Sequence, residues 1–511
     1  MVTESPPQIG WLYANAAKSI QSFIFATNKL KEITGGSALV EMLPHDLLVK
    51  TLAALNFREG QDYGILLQVA GGACLLFKDR DKAREMARIW PFLAAHYAPT
   101  LEVTQGIVPC DNIPEALNRA EKALRTNRNI VFPQLPPPGP LTAYCPRTGL
   151  AATASLGKDR LDALTEAKLD ARQDAGTRLL SKIIPPSRQK TVADSSRWAT
   201  EFSQMLGGET AREKGYLAVI HADANGLGKV RMQFGTLLEE VISGGEAVKK
   251  FKQFTSAVDR ATTAAVQAAL EPIMAQTDAE SPPGIYPFRP IVCAGDDLTM
   301  VMRADLAFHF TASFLENFEK ESAQQFSELR LKLPGLSACA GIAFVHQKFP
   351  FASAYELSES LCSHSKKALN REASGFSFFR VTTSSVRDYE HIVKNELSTG
   401  GCRLTMNPYR TSPLVSSTAP LFTDLRNLAG TIAQLPKTSF RQVVGMAAHN
   451  RVAAQVAFER LCDVTDASLE SSLKSALTTI TGVIEEPLWR MIGDLPETPL
   501  FDALELNRIE R

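Results

Sequence analysis

A duplicated hairpin pattern constrains the fold of this chain more than any other feature. The segment "LLQVAGGACLLF" at 66–77 matches "IVCAGDDLTMV" at 291–301 in its order of apolar and turn residues. Two apolar runs joined by a short glycine-containing turn predict a β-hairpin. The second copy carries Asp296-Asp297 where the first carries Gly72-Ala73. The repeat therefore predicts two domains of one type, with a carboxylate pair in only one of them.

The match extends outward from the hairpins in the same order. "LYANAAKSIQSF" from Leu12 and "VIHADANGLGKV" from Val219 each run from an apolar strand into a polar turn, so that Asn15 aligns with Asp223. Each copy then has a Gly-Gly pair, a helical pattern, the hairpin, a second helix and another apolar strand. The order strand, helix, hairpin, helix, strand is βαββαβ, the ferredoxin-like arrangement of an antiparallel sheet with helices on one face. We therefore predict an α+β protein with two such domains, the first degenerate.

Proline-rich breaks and a change in hydrophobic pattern divide the rest of the chain into domains. The 511 residues are too many for a single core. Proline-rich breaks occur at "FPQLPPPGPL" and "IIPPS", and the strand signal fades after about residue 385, where helical patterns take over. The predicted domains are a degenerate N-terminal domain at 1–132, a Pro-rich break and helical linker at 133–212, a carboxylate-bearing domain at 213–385, and a helical C-terminal domain at 386–511.

Charge and cysteine usage exclude several classes of protein. Lys plus Arg and Asp plus Glu both number 55, which argues against a large sequence-independent nucleic-acid surface and favours a small substrate. The eight cysteines form no CxxC pair, and the chain contains neither a signal-like opening run nor 18 consecutive apolar residues. We therefore expect a cytoplasmic protein with reduced cysteines and no membrane contact.

Three aspartates are the candidate catalytic and metal-binding residues. The first strand and the central hairpin of a ferredoxin-like domain are neighbours in the sheet, so Asp223 is expected to meet Asp296 and Asp297. Carboxylates ~4 Å apart repel by about 1 kcal/mol in water and about 4 at an effective dielectric of 20, and a divalent cation relieves this repulsion. Mg²⁺ favours carboxylates, water and phosphate oxygens, and three carboxylates suit two metals ~3.5–4 Å apart. This donor set predicts a palm-type nucleotidyltransferase with two Mg²⁺ or Mn²⁺ ions.

Further residues are candidates for nucleotide binding. In "DANGLGK" at 223–229 an acid ends an apolar strand and glycines precede a helix, which leaves backbone amides free for a phosphate. The spacing does not complete a GxGxxG, P-loop or EF-hand motif. Two lysines on the helix at 353–369 are placed to reach a triphosphate. The predicted nucleotide-binding residues are Asn225, Gly226, Gly228, Gly295, Lys366 and Lys367. The alternative interpretations are an ordinary solvated Asp-Asp turn and a solvated lysine face.

Three segments together resemble the large signalling subunit of type III CRISPR effector complexes, the CRISPR polymerase. They are "SIQSFIFATNKLKEITGGSALVEML" at 19–43, the "AGDD" turn and "DANGLGK". The resemblance covers roughly 10–130 and 213–385. It implies that the second palm binds two ATP molecules and joins them into cyclic oligoadenylate messengers when the complex binds target RNA. It also implies guide RNA, other subunits and a small helical partner at the C-terminal domain.

The sequence departs from that family in three places. Ala294 replaces the first glycine of the usual GGDD turn. Many members carry an N-terminal HD nuclease domain, whereas here His45-Asp46 is an isolated pair within the first palm, and we expect no nuclease site. Members often have a zinc-binding cysteine cluster between the palms, but "YCPRTGL" has Thr148 where a second cysteine after Cys145 is expected. We therefore expect no zinc.

Three hypotheses from different classes remain at this stage. The first is an ATP-consuming cyclic oligoadenylate synthase activated by target RNA within an antiviral complex. The second is a catalytically silent scaffold subunit that binds RNA, against which the intact carboxylates argue. The third is a free-standing palm-domain nucleotide cyclase of a defence or signalling pathway that works without guide RNA.

Overall fold

The computed structural model describes residues 9–130, 139–207, 215–230, 233–234, 244–280, 284–330, 333–383, 386–399, 401–413, 418–493 and 495–510. The strands are β1 (Gly10–Ala17), β2 (Tyr63–Val69), β3 (Gly72–Phe77), β4 (Val103–Cys110), β5 (Ala154–Leu156), β6 (Asp159–Leu161), β7 (Tyr216–Ala224), β8 (Phe288–Ala294), β9 (Asp297–Arg303), β10 (Ala338–His346), β11 (Gly375–Arg380), β12 (Ser398–Thr399), β13 (Cys402–Arg403), β14 (Tyr409–Arg410), β15 (Arg490–Ile492) and β16 (Leu495–Glu497). The main helices are α1 (Ile20–Ile24), α2 (Leu30–Met42), α3 (Leu48–Ala54), α4 (Arg80–Tyr97), α5 (Ile113–Asn127), α6 (Ala163–Ile183), α7 (Gly244–Asp278), α8 (Ala307–Glu328), α9 (Phe351–Ala368), α10 (Tyr389–Asn395), α11 (Phe422–Ile432), α12 (Lys437–Ala447), α13 (Arg451–Asp463), α14 (Ala467–Thr481) and α15 (Leu500–Ile509).

The two palm domains share one sheet topology. The first sheet has the order β2-β3-β1-β4, with every neighbouring pair antiparallel. The second contains the same order as β8-β9-β7-β10, and β11 and β14 extend it beyond β10. This is the ferredoxin-like order, so the predicted α+β fold with two βαββαβ domains is confirmed. Buried apolar side chains of both palms, the linker and the C-terminal part form one contiguous core.

Helices cover both faces of the second palm sheet, whereas the sequence predicted helices on one face. Phe344 of β10 packs against Phe308 of α8. Gly341, of opposite parity on the same strand, faces α9, where an added Cβ would lie 2.0 Å from the Ser358 carbonyl oxygen. Because successive side chains of a strand alternate between faces, α8 and α9 lie on opposite sides. Helix α9 contacts the first palm, where its Phe351 and Tyr355 pack on Phe25.

The hairpin turns of the two palms differ by one residue in register. In the first palm Val69 pairs with Gly72, so the two-residue turn is 70–71. In the second, Ala294 pairs with Asp297, so the turn is 295–296. The aligned glycines both have positive φ, 75° at Gly71 and 62° at Gly295, but they occupy the second and the first turn position respectively. The uncharged hairpin therefore shows that such a turn forms without aspartates, although it is not superimposable residue for residue.

The Gly-Gly pair of the first palm is used for packing. A Cβ at Gly35 would lie 1.7 Å from the Lys168 carbonyl oxygen, and one at Gly36 would lie 3.1 Å from Lys168 Cε. The glycines thus allow α6 of the linker to cross α2 in backbone contact. Lys168 is 2% exposed and donates to the Phe23 carbonyl oxygen. Burial lowers its pKa to about 8.

The linker preceding α6 contains a small hairpin, β5–β6, that the sequence analysis did not predict. Cys145 Sγ lies 4.0 Å from Thr165 Oγ1, and Thr148 Oγ1 donates to Asp162 Oδ2. Asp162 also caps α6 by accepting from the Thr165 amide at 2.6 Å. This part of the linker therefore brings together one thiol, two hydroxyls and one carboxylate, which belong to Cys145, Thr148, Thr165 and Asp162 and are joined by hydrogen bonds.

The C-terminal part is helical as predicted, with strands that the sequence did not reveal. Helices α11 to α15 are accompanied by a small sheet of order β12-β13-β16-β15, and β14 joins the sheet of the second palm. These strands have only two or three residues each, too short to show an alternating pattern. Within the described ranges, no helix is both long enough and apolar enough to cross a bilayer.

Candidate active site

The end of β7 lies beside the β8–β9 turn, as the sequence predicted. Ala222 pairs with Leu298 across β7 and β9, so the next residue along β7, Asp223, lies next to Asp297. The side chains of Asp223 and Asp296 are within hydrogen-bonding contact. The three predicted aspartates therefore converge at one edge of the sheet, although 73 residues separate the first from the second in the sequence.

These carboxylates lie in an environment that disfavours their charge. Burial raises the pKa of Asp296 well above its usual range, and the Asp223 and Asp297 carboxylates raise it further. Burial also raises the pKa of Asp297; the nearby His221 lowers it in part, Asp223 raises it and Lys366 lowers it. The site therefore has an excess of negative charge that a bound cation would offset.

The two candidate lysines have different positions. Lys366 is 8% exposed, donates to Asp223 Oδ2, and donates to the Ala224 carbonyl oxygen at 3.0 Å. Lys367 points away from the site and forms a 2.6 Å ion pair with Glu390, with both side chains 63% exposed. The structure thus brings Lys366 but not Lys367 to the carboxylates, because consecutive helical residues point in different directions.

Three polar atoms at the carboxylates lack hydrogen-bond partners among the described residues. Asp297 Oδ1 and His221 Nδ1 are 3.5 Å apart, and neither makes a hydrogen bond. Thr299 Oγ1 is also buried without a partner. Unpaired buried polar atoms are costly, typically about 1–3 kcal/mol each, and their clustering is characteristic of a site for an ion or ligand.

The "DANGLGK" loop is only partly available to a ligand. Asn225 is 5% exposed, its amide nitrogen donates to Ser337, Cys339 and Ala373, and its backbone N–H donates to the Ser337 carbonyl oxygen. The Asn225 amide nitrogen thus ties the end of β7 to the domain interior, whereas its Oδ1 is buried and makes no hydrogen bond within the described residues, and its place in a nucleotide loop stays a prediction. Gly226 has a φ of 65°, and space around Gly226 and Gly228 is open. A helical turn begins at Leu227.

A cavity of about 250 Å³ lies between the two palms at the carboxylates. The second palm contributes the "AGDD" turn, Thr299 and Tyr355. The first palm contributes a largely apolar wall from α1, α2 and the end of β2, which also includes Gln21, Ser37 and Glu41. Phe25 packs on Tyr355 with ring centroids 4.5 Å apart, closing one side. The cavity therefore combines a polar end with an apolar wall, the usual composition of a small-molecule site.

The sequence analysis missed His221 and Tyr355. His221 precedes Asp223 by two residues on β7 and so shares its face of the sheet, a signal that strand alternation contains. Tyr355 contacts the His221 ring, with centroids 5.4 Å apart, and Gln21 Nε2 of the first palm donates to its hydroxyl at 3.5 Å. Its position depends on how α9 and the first palm pack, so no local pattern identified it.

The donor chemistry of the site fits a divalent cation. Asp223, Asp296 and Asp297 supply the oxygen ligands that Mg²⁺ and Mn²⁺ prefer, and Asp297 Oδ1 makes no hydrogen bond within the described residues. Within the described ranges, no three His, Cys, Asp or Glu side chains already stand in a ligating arrangement. At this site Lys366 donates a hydrogen bond to Asp223 Oδ2, and the Asp296 side chain contacts that of Asp223. These contacts would be exchanged for metal contacts on binding.

A larger cleft of about 760 Å³ lies elsewhere, between the second palm and the C-terminal helices. It contains Arg303, Arg380, Lys437, Arg441 and Arg508 but none of the predicted site residues. Arg380 and Arg508 are paired with Glu505, and Arg303 with Asp305. The carboxylate cavity, although smaller, is the candidate active site because Asp296, Asp297 and Thr299 line it, and Asp297 Oδ1 and Thr299 Oγ1 make no hydrogen bond within the described residues.

The sheet order and the acidic turn together define a palm-type fold for the second domain. Residues 216–374 match the family model described as Cas10/Cmr2, second palm domain. The resemblance to the large subunit of type III CRISPR complexes is thereby confirmed over this segment, which is similar to Cas10/Cmr2 second palm domains. No curated protein matches the chain by sequence.

Solved structures with the same fold come from Csm1–Csm4 cassettes. A chain of the cassette in complex with AMPPNP aligns with a TM-score of 0.52 and 12% identity, over 99% of this chain and 71% of the other. A chain of the cassette with cA3 aligns with a TM-score of 0.51 and 13% identity, over 92% of this chain and 66% of the other. A chain of the apo cassette aligns with a TM-score of 0.50 and 12% identity, over 100% of this chain and 71% of the other. In the cassettes with cA4 and pppApA, the alignment spans 55% and 54% of the other chain, so the match covers about half the length of those chains.

Proposed function

We propose that this chain is the nucleotidyltransferase subunit of a type III CRISPR effector complex and converts ATP into cyclic oligoadenylate in the presence of Mg²⁺ or Mn²⁺. The observation that carries the proposal is the convergence of Asp223, Asp296 and Asp297 at one edge of the sheet, where Asp296 and Asp297 line a cavity that the first palm closes. The Cas10/Cmr2 match of the second palm and the Csm1–Csm4 fold support it.

Each group at the site has a chemical role in this proposal. Asp223, Asp296 and Asp297 would hold the divalent ions, which supply a lowered pKa at the attacking hydroxyl and charge neutralisation at the phosphates. Lys366 provides a fixed positive charge beside the carboxylates. The open backbone at Gly226 and Gly228 allows close approach of a phosphate. The apolar wall of the cavity excludes water and is suited to a nucleobase.

The reaction balances as a nucleotidyl transfer. The 3′-hydroxyl oxygen of one ATP attacks the α-phosphorus of another, the bond from that phosphorus to the β-phosphate bridging oxygen breaks, and pyrophosphate leaves. The hydroxyl proton passes to a nearby base or to water. Repetition and a final ring closure of the same type give a cyclic product.

The test measures products from ATP by mass spectrometry with Mg²⁺ or Mn²⁺, using the purified chain and its co-purified complex, with and without target RNA. We expect adenylate products and pyrophosphate from the wild type and none from Asp296→Asn with Asp297→Asn. The control is Glu485→Gln with Glu486→Gln, an adjacent acidic pair that is exposed and remote from the cavity.

Each arm of this experiment has a defined meaning. Undiminished product in the aspartate double variant would refute the proposed function. Full activity of the isolated chain without RNA would favour the free-standing cyclase instead. Absence of any nucleotide product in the complete complex, with RNA binding retained, would favour the scaffold.

A further inference from the structure

Two side chains of α7 hold the turn that carries the aspartates. The Gly295 N–H donates to Asp259 Oδ1 at 2.9 Å, and the Gly295 carbonyl oxygen accepts from Thr262 Oγ1 at 2.6 Å. Residues three apart share a face of a helix, so one surface of α7 presents both groups to the turn. Gly295 is the residue immediately before Asp296, and its two main-chain polar groups fix the plane from which Asp296 and Asp297 project.

A lysine of the linker joins the same network. Lys182, near the end of α6, donates to Asp259 Oδ1 at 2.7 Å and to the Cys293 carbonyl oxygen at 2.7 Å. It therefore contacts both the residue that holds Gly295 and the main chain two residues earlier. Asp259 and Lys182 are 37% and 21% exposed, so the pair is partly shielded from solvent. In this way three elements far apart in sequence meet at one turn.

The first palm shows that such a hairpin turn forms without side-chain support. There the Gly71 N–H donates to the Val40 carbonyl oxygen at 2.9 Å, and the Gly71 carbonyl oxygen accepts from the Ala17 N–H at 2.6 Å. Main-chain groups within the same domain thus satisfy the equivalent glycine. The side-chain contacts from α7 and α6 occur in the palm that carries the carboxylates.

We infer that Asp259, Thr262 and Lys182 are positioning residues that hold Asp296 and Asp297 in their reactive geometry, so that linker helix α6 is mechanically connected to the active site. The inference rests on the proposed nucleotidyl transfer. None of the three side chains contacts the reacting atoms. Displacement of catalytic groups by about 1 Å is enough to reduce rates by about 10²-fold. Loss of these contacts should therefore affect turnover more than nucleotide binding.

The first experiment compares Thr262→Val with Thr263→Val. Both threonines donate to the carbonyl four residues earlier, Val258 and Asp259 respectively, but only Thr262 also reaches Gly295. We expect Thr262→Val to lower kcat at least about tenfold with the KM for ATP within about twofold, and Thr262→Ser to restore it. Thr263→Val should stay within twofold of wild type. Equal kcat values for the two valine variants would overturn the role of Thr262.

The second experiment does not depend on activity. Hydrogen exchange of the peptide covering 291–299 reports the Gly295 amide, which Asp259 protects. We expect exchange to be at least about tenfold faster in Asp259→Ala than in wild type, and slower in Asp259→Asn than in Asp259→Ala because an amide oxygen can still accept. Lys182→Met should also accelerate exchange. Unchanged exchange in Asp259→Ala and Lys182→Met would overturn the connection to α6.

The two experiments separate failure of this inference from failure of the proposed function. If the wild-type complex makes no nucleotide product, the proposed function fails, whereas the exchange measurement still decides whether the contacts hold the turn. If wild type is active and the exchange responds but kcat does not, the contacts are structural, and their positioning role is refuted.

Discussion

The ammonium group of Lys366 lies between the Asp223 carboxylate and the Ala224 carbonyl oxygen, in a position that is 8% exposed. A buried cation beside three carboxylates compensates part of their charge and holds Asp223 in place. The next residue, Lys367, has the same side chain but is on the surface with Glu390. This adjacent pair therefore provides a matched comparison at the scale of single residues.

We predict that Lys366→Met lowers both stability and ATP turnover, whereas Lys367→Met leaves both near wild type. Removing Lys366 breaks a charge-assisted hydrogen bond, which costs about 1.5–3 kcal/mol, and leaves the carboxylates less compensated. Removing Lys367 breaks an exposed ion pair worth at most about 1 kcal/mol. Urea denaturation and rates of product formation measure the two effects. Equal losses in both variants would contradict the assignment of Lys366 to the site.

Residue-scale features were predictable from the sequence where strand geometry alone determines them. Asp223 ends an apolar strand and Asp296-Asp297 follow a hairpin glycine, so their convergence follows from the ferredoxin-like order. Asn225 was assigned to a ligand loop because its motif resembles one, but its amide is used inside the domain. The direction of an Asn side chain in a turn depends on which donors and acceptors surround it, and those come from distant strands.

At the scale of elements, close contact between two helices explains the Gly-Gly pair of the first palm. The backbone of α6 crosses α2 at Gly35, where a Cβ would lie 1.7 Å from the Lys168 carbonyl oxygen. Helix α6 therefore docks on the first palm through a glycine and reaches the active-site turn through Lys182. Helix α6 of the linker thus contacts both palms.

We predict that Gly35→Ala destabilises the chain by about 1–3 kcal/mol or more, because the added methyl forces α2 and α6 apart. The matched control is Gly445→Ala in α12, where nothing lies within 4 Å of the added Cβ. In a helix interior this control should stabilise by roughly 0.5–1 kcal/mol. Thermal and urea denaturation provide the comparison. Stabilisation by Gly35→Ala would show that the helices do not make this contact.

At the scale of the whole molecule, a buried carboxyl joins the C-terminal helix to the second palm. Asp502 of α15 is 2% exposed and accepts hydrogen bonds from Thr405 Oγ1 at 3.0 Å, the Met406 N–H at 2.8 Å and Tyr409 Oη at 2.6 Å. Tyr409 lies in β14, the strand that extends the palm sheet. Burial raises the pKa of Asp502 to about 7, although these hydrogen bonds act in the opposite direction.

We predict that this docking weakens as pH rises from about 4 to about 7. The folded chain holds the Asp502 proton more tightly than the unfolded chain, whose usual pKa is 3.8, so stability is greatest below that value and declines until the folded pKa is passed. The decline from one group is at most about 1.4 kcal/mol per pH unit. Asp502→Asn removes this dependence.

Urea denaturation of wild type and Asp502→Asn at pH 5, 6, 7 and 8 measures the effect. The stability of the variant relative to wild type should increase between pH 5 and 7 and then level off. A difference between the two proteins that does not change with pH would show that Asp502 has no raised pKa in the folded chain.

The sequence by itself determined the repeated βαββαβ order, the acidic hairpin and its uncharged counterpart, because strand alternation, turn glycines and helical spacing are local patterns. Only the tertiary structure decided that Lys366 rather than Lys367 reaches the aspartates, and that the turn is one residue out of register between the palms. It also brought Asp259 and Lys182 to the hairpin across 36 and 111 residues of sequence. Contacts of this kind depend on how helices pack on a sheet, and packing is set by the combined shape of many side chains rather than by any single segment.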